Sequence, residues 1–314
     1  MRVRGRPFRF GIQLRPQRTT WARYIAAVQS VEELGFDTVW SSDHLLPASG
    51  PDDGPRFETL TILGAIAALT NRVRFGPLVF GALYRDPATL AKSVATVDEI
   101  SGGRLEFALG AAWSEREFRA YGLAYPPLAE RYARLDESLQ ILRSLWTEPR
   151  TKFEGRYYRI DDAPCEPKPV QRPHPPIMVG GVGAGALRIA AKHATSSNLC
   201  GLPETVAKKA QLLEQFCGDI GRHFDAVELS VHSDIAIAST SAAAEACMSD
   251  AVARDGLNIE AQRDLWVTGS PGQVVDQVGR YAEVGVSHWI VHIDDPFDLT
   301  TLQMLREQVV PQFK

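Results

Sequence analysis

The chain is short of the features that announce most function classes. Its 314 residues hold four cysteines, Cys165, Cys200, Cys217 and Cys247, and no two of them stand in a CxxC pair. Such spacing excludes a disulfide scaffold and a zinc knuckle and suits reduced thiols in a cytosol. No apolar run reaches the ~18 residues of a membrane span. No apolar core follows Arg2, Arg4, Arg6 and Arg9, which read as a solvated start and not as a targeting segment. Positive charge is not in excess: the net charge of −4 and the pI near 6.0 argue against nucleic acid or an anionic membrane as the main partner. A P-loop and a GxSxG elbow are missing, which leaves NTPase and serine-hydrolase chemistry without support. No internal repeat is present.

What is there is ordinary in amount and regular in order. Hydrophobic residues make up 45% and charged residues 23%, enough for a sizeable core. Short β-branched or aromatic runs alternate with stretches of helical period. The strand-like runs lie at 8–14, 37–41, 73–79, 104–109, 176–180, 196–200, 227–238 and 287–293. Helices are expected near 20–34 (Thr19–Thr20 as cap, Gly35 as stop), 57–71, 87–101, 128–147, 184–194, 204–220, from 270, and 298–311. Eight strand–helix units with right-handed crossovers close most simply into a single (β/α)8 barrel domain over 1–314. The rival, an open doubly wound sheet, wants a glycine cluster after its first strand, where this chain has Gln13, Leu14, Arg15 and Pro16. Three segments break the rhythm and read as insertions: 44–57, 149–176 (hairpin-like, then proline-rich) and the helical, Ala-rich 239–268. The first two are candidate lids.

Function in a barrel gathers where strands end. The second strand ends at Asp43–His44, an imidazole that titrates near neutrality beside a carboxylate able to orient or charge it. The third runs into the apolar, glycine-flanked stretch 76–83, containing Leu78, Val79 and Phe80, a wall for a planar ring. The fourth ends in Gly110, Ala111, Ala112, Trp113 and Ser114, where small residues allow close approach and Trp113 can flank a flat ligand. After the fifth, Gly180, Gly181, Gly183 and Gly185 open a helix and suit a phosphate clamp, with Asn198 and Cys200 beside it. Their spacing is not GxGxxG. His232, His288 and His292 raise a metal alternative, with His288 and His292 on one strand face, but no acidic set stands at ligand spacing near them.

On these motifs the chain resembles the bacterial luciferase-like superfamily, in particular its branch that uses the deazaflavin coenzyme F420. The carriers are FGIQL (10–14), EELGFDTVWSSDH (32–44), TNRVRFG (70–76), YRDPATLAK (84–92), GGRLEFALGAAWSE (102–115), ERYARLDESLQIL (130–142), FEGRYY (153–158), PPIMVGG (175–181) and GSPGQV (269–274). The resemblance implies an oxidoreductase with His44, beside Asp43, as acid/base near the ring carbon that exchanges hydride. It places a non-proline cis peptide at Leu78–Val79 and a cofactor face built from Gln13, Asp43, His44, Leu78, Val79, Phe80, Gly110, Ala111, Trp113, Ser114, Gly180, Gly181, Gly183, Asn198 and Cys200. The implied cofactor is F420, with FMN as the alternative. The implied partners are a small organic substrate, a second copy of the chain and, in the FMN case, a flavin reductase. Two departures bear on substrate and cofactor contact. Ser114 stands where the family's motif usually has Asn. The sugar-phosphate dehydrogenases of the family carry Trp at the position of Ala48 and a Glu in a longer fourth-strand loop, which argues against glucose 6-phosphate. A non-catalytic cofactor-storage protein is the reading from another class.

Overall fold

In a computed structural model, described here over residues 1–48 and 54–314, eight parallel strands form a ring. They are β1 (Arg9–Leu14), β2 (Thr38–Ser41), β3 (Arg74–Pro77), β4 (Phe107–Gly110), β5 (Ile177–Gly180), β6 (Ser196–Leu199), β7 (Glu228–Ile237) and β8 (Val286–Ile293). β1 pairs with β2 and β8, and the order runs β3-β2-β1-β8-β7-β6-β5-β4. The last seam closes in two pieces: Phe75 bridges Leu105, and after a break at Leu78–Val79 the chain resumes as Phe80–Gly81 on Leu109–Gly110. Helices α1 (Trp21–Glu33), α2 (Thr59–Leu69), α3 (Pro87–Ile100), α4 (Leu128–Thr147), α5 (Ala184–His193), α6 (Pro203–Asp219), α7 (Ser241–Arg254), α8 (Pro271–Glu283) and α9 (Leu299–Met304) surround the ring.

Local chemistry sets most boundaries. Thr20 accepts the Arg23 N–H at the start of α1 and Gly35, at φ +74°, ends it. Asp86 caps α3 ahead of Pro87. β4 starts later than the run from 104 suggests because the Arg104 guanidinium donates to the carbonyls of Ala67 and Thr70 at the end of α2, 2.7 and 2.9 Å away. The single helix expected over 298–311 is broken: α9 widens into a π turn at Leu305–Val309 and a 3-10 turn at Val310–Phe313. Pro311 has no N–H to continue an α ladder. The 239–268 segment is only partly helical, since Trp266–Gly269, overlapping its end, forms a ninth parallel strand on Asp234–Ile237, where β7 runs past the end of its partner β8. The 149–176 segment follows a helix and so leaves from the opposite end of the barrel. Its antiparallel hairpin (Thr151–Glu154 with Arg159–Ala163) folds back along α4, whose Glu137 accepts the N–H groups of Arg156, Tyr157 and Tyr158, and Tyr158 lines a pocket with Leu83, Tyr84 and Arg85. The 44–57 segment lies in part (49–53) outside the described residues.

Alternation assigns the inner wall. Arg9, Gly11 and Gln13 face inward with Thr38, Trp40, Arg74, Gly76, Glu106, Ala108, Met178, Ser196, Asn198, Glu228, Ser230, His288, Ile290 and His292, their partners in register. The layer at the strand starts is charged and paired. Arg9 bridges Glu106 and Glu228 at 2.7 and 2.6 Å, and Arg74 adds a bond of 2.9 Å to Glu106. A cavity of about 330 Å³ opens at this end, the end of a barrel associated with stability. Above it, Thr38 Oγ1 accepts the Trp40 indole N–H at 2.7 Å and lies 2.9 Å from His288 Nε2. Trp40, Leu78, Ala108, Met178 and Ile290 fill the middle. Between helices and strands Phe10, Ile12, Leu14, Val39, Phe75, Phe107 and Leu109 make the outer core. The four cysteines are unpaired, and among the described residues no helix is long and apolar enough to cross a membrane.

Gly76 is one place where the wall admits no side chain: a Cβ there would lie 2.0 Å from the Glu106 carbonyl oxygen. Gly76→Ala is expected to cost about 3 kcal/mol by overpacking. Gly64→Ala, inside α2 with open space around the new methyl, is expected to add ~0.5–1 kcal/mol. Urea unfolding of the two variants beside the parent checks both.

Candidate active site

The strand ends form a mouth with three arcs. The first spans β2 to β4. His44 follows β2, and its backbone is pinned by Arg56, which donates to the His44 carbonyl at 3.2 Å, to Ser42 Oγ at 3.0 Å, to the Ser42 carbonyl and to Gln17 Oε1 at 3.0 Å. The carboxylate that meets the His44 ring is Glu117, not the adjacent Asp43. Glu117 Oε1 is 2.7 Å from Nδ1, while Oε2 accepts the Leu45 N–H at 3.1 Å and the Tyr84 hydroxyl at 2.6 Å. Burial pushes the Glu117 carboxyl up, but the bonds from His44, Tyr84 and Leu45 outweigh it and hold the group below the usual carboxylate range. Burial and the same carboxylate push the Tyr84 phenol up. An ionised Glu117 fixes a proton on Nδ1 and leaves Nε2 as the nitrogen able to exchange one.

Asp43 has other work. It takes Arg85 in a bidentate pair (2.7 and 2.9 Å) and the Gly81 N–H at 2.9 Å, so it anchors the chain after the β3 break. The Leu78–Val79 peptide is cis, as the resemblance implied. The Leu78 carbonyl accepts the Gln13 amide at 3.2 Å, reaching from β1, and the Leu78 N–H donates to Ser41. Val79 lies over Gly110 and Gly180, where an added Cβ would stand 2.8 Å from its methyls at both positions. The floor of the mouth is therefore Gln13, Leu78 and Val79. Phe80 is not part of it. It points outward, 1% exposed, with its ring 6.0 Å from Phe107. Ala111 packs on the outer core. Ala112, at φ +56°, swings Trp113 out to 66% exposure, its indole edge-on to His44 at 5.5 Å. Ser114 is buried and precedes the short helix Glu115–Ala120 that carries Glu117.

The second arc spans β5 and β6. Gly181 (φ +132°) turns the chain into α5, whose start at Gly183 has no side-chain cap, so its first N–H groups are available to an anion. Gly183 and Gly185 also make room for Tyr132 of α4, whose hydroxyl and ring would stand 2.7 and 2.4 Å from the added Cβ atoms. Asn198 is buried and spoken for, with Nδ2 on Ser230 Oγ (3.0 Å) and Oδ1 on His232 Nδ1 (2.9 Å). Cys200 is half-buried, its thiol pushed up by burial.

The third arc, over β7, β8 and β1, was legible only as scattered histidines. His292 Nδ1 bonds Asp234 Oδ1, Asp294 stands 3.3 Å from Nε2, and Arg15 binds Asp294 at 3.2 Å. Among the described residues no three His, Cys, Asp or Glu converge as a metal-ligand set.

A family model described as luciferase-like monooxygenase matches residues 6–255, and the chain belongs to that family, an oxidoreductase by class. It is 29% identical over 98% of its length, and 97% of the other chain, to the F420-dependent glucose-6-phosphate dehydrogenase of Nakamurella multipartita. It is 34% identical to the FMNH(2)-dependent dimethylsulfone monooxygenase of Pseudomonas putida, over 56% of this chain and 48% of that one. Its fold is similar, at TM-score 0.85 and 18% identity over 98% and 99% of the two chains, to that of an F420-dependent secondary alcohol dehydrogenase.

Burial pushes the His232 imidazole down to about 4. Between pH 6.5 and about 4 the unfolded chain therefore takes up a proton that folded His232 refuses, and stability falls as pH falls through that window. His232→Gln is expected to flatten this slope by about one proton, read from denaturant midpoints collected at half-unit pH steps.

Proposed function

We propose that this member of the luciferase-like monooxygenase family is an F420-dependent oxidoreductase that moves a hydride between the deazaflavin ring and a small organic substrate, with His44 as proton partner. The observation that carries the reading is the His44–Glu117 pair at the rim of a floor cleared for a flat ring by Gly110, Gly180 and the Val79 packed over them. The residues fit the cofactor. The floor is apolar with one anchored amide, Trp113 can cover a planar face, and the uncapped start of α5 suits a phosphate. Beside that floor, His292 Nε2 is a buried polar atom that makes no directed hydrogen bond among the described residues. When bound, the deazaflavin supplies the hydride acceptor or donor.

The chain's own residues handle the proton. His44 Nε2 takes it from the substrate hydroxyl during oxidation and returns it to the carbonyl oxygen during reduction. Glu117 keeps Nδ1 protonated and stabilises the imidazolium without taking the proton itself, the division of labour of a buried carboxylate behind a catalytic histidine. Tyr84 and the Leu45 N–H hold Glu117 in place for this. Deazaflavins react poorly with oxygen, which favours two-electron chemistry on the substrate. Ala48, in place of the sugar-phosphate dehydrogenases' Trp, weighs against glucose 6-phosphate. The similarity to the Pseudomonas putida monooxygenase supports a second reading, an FMN-dependent monooxygenase supplied by a partner reductase.

Fluorescence titration with F420 and with FMN separates the two. The expected result is saturable F420 binding that is much tighter than FMN binding. Tight FMN binding without F420 affinity sinks the first reading. With reduced F420 and a panel of ketones and enones, His44→Ala is expected to lose ~10²–10⁴ in kcat with cofactor Kd little changed. Glu117→Gln is expected to fall in the same direction by less. Full turnover in His44→Ala, or none in the parent, favours a storage role.

A further inference from the structure

His292 repeats, on the far arc of the mouth, the arrangement seen at His44. Each ring gives Nδ1 to a carboxylate from a neighbouring part of the barrel, Glu117 for His44 and Asp234 for His292, and His292 Nε2, though 3.3 Å from Asp294 Oδ1, makes no directed hydrogen bond among the described residues. The two differ in depth. His44 sits at the rim, whereas His292 is a wall residue, 7% exposed, in the last inward layer and in register with Gln13. Gln13 is part of the floor, since its amide crosses to the Leu78 carbonyl. A flat ring lying on Gln13, Leu78 and Val79 therefore meets His292 at its edge, on the side away from β3. The charges that face the imidazole are Asp234 of β7 at Nδ1, Asp294 at 3.3 Å from Nε2, and Arg15 behind Asp294, with His232 on the same inner face of β7.

A buried nitrogen without a partner is costly, on the order of 1–3 kcal/mol. That cost is absent if a ligand supplies the partner. Two carboxylates around one ring also favour its cationic form. Burial and Arg15 work against the charge, but Asp294 and Asp234 prevail and raise the group above the ordinary histidine value. In its protonated form the ring carries an Nε2–H that Asp294, 3.3 Å away, does not engage in a directed hydrogen bond.

Resting on the cofactor reading above, we propose that His292 is the polar contact of the bound ring on the β8 side, donating its Nε2–H to a heteroatom at the ring edge and favouring the reduced ring over the oxidised one. The chemistry is specific. A hydride brings two electrons and one proton, so each transfer to the ring adds one unit of negative charge there, while the substrate's hydroxyl proton leaves to His44. A fixed cation at the ring edge stabilises that added charge. His292 is then a recognition residue for the cofactor's redox state, and Asp234 positions it.

The test is binding of oxidised and reduced F420 to the full-length protein, anaerobically for the reduced form, together with the midpoint potential of the bound cofactor. A charge-assisted hydrogen bond is worth about a factor of ten or more. His292→Gln is expected to weaken reduced F420 about tenfold relative to oxidised F420, and so to lower the bound potential by ~30 mV for the two-electron couple. Asp234→Asn, a same-size change at a more exposed side chain, is expected to move the ratio in the same direction by less, and it carries the test if His292→Gln does not fold. An unchanged ratio in both variants, with F420 bound normally by the parent, overturns the inference and leaves the cofactor reading standing. A parent that binds neither form overturns that reading and this inference with it.

Discussion

Everything in this barrel depends on pairing the charges that its own alternation drives inward. Arg9, Arg74, Glu106 and Glu228 face the interior, and an ion removed from water without a partner costs several kcal/mol. The strands are staggered so that one guanidinium, Arg9, lies between two carboxylates, and Arg74 reinforces one of them. The charged layer closes one end of the ring. The opposite end is then the place where polar groups can be left for a ligand, and there His292 Nε2 makes no directed hydrogen bond among the described residues.

The same accounting separates structural from functional groups at the mouth. Asp43 uses both oxygens on Arg85 and Gly81, and Asn198 uses both amide atoms on Ser230 and His232. These side chains hold the wall. His44 spends Nδ1 on Glu117, and His292 spends Nδ1 on Asp234 while its Nε2, 3.3 Å from Asp294, makes no directed hydrogen bond among the described residues. A reactive group needs one bond to orient it and one position left over, and these two residues meet that condition.

The alternation of strands and helices was legible because period-two runs and glycine stops act locally: the long helix read at 128–147 is found at Leu128–Thr147. Failures came where a distant residue decides. Arg104 left its strand to cap α2, and a ninth strand filled an edge created by the length of β7. At the site, proximity in sequence misled. Asp43 and His44 are neighbours past the end of β2, but Asp43 takes Arg85 and the Gly81 N–H while His44 takes Glu117. Glu117 lies in a run of charges, Glu115, Arg116 and Glu117, that reads as solvated. Only the folded chain shows that its side chain is 1% exposed while that of Glu115 is 52% exposed. The His292–Asp234 pair depends on the register between β7 and β8, which no spacing along the chain reveals.

The Val79 side chain, fitted over two glycines from different strands, ties three distant positions to one volume. A methyl added at 110 or 180 has nowhere to go unless position 79 becomes smaller. Across descendants of this sequence, positions 79, 110 and 180 should therefore drift as a set or not at all. Remodelling of this floor for a bulkier or thinner ring has to pass through a paired exchange at two sites far apart in the chain.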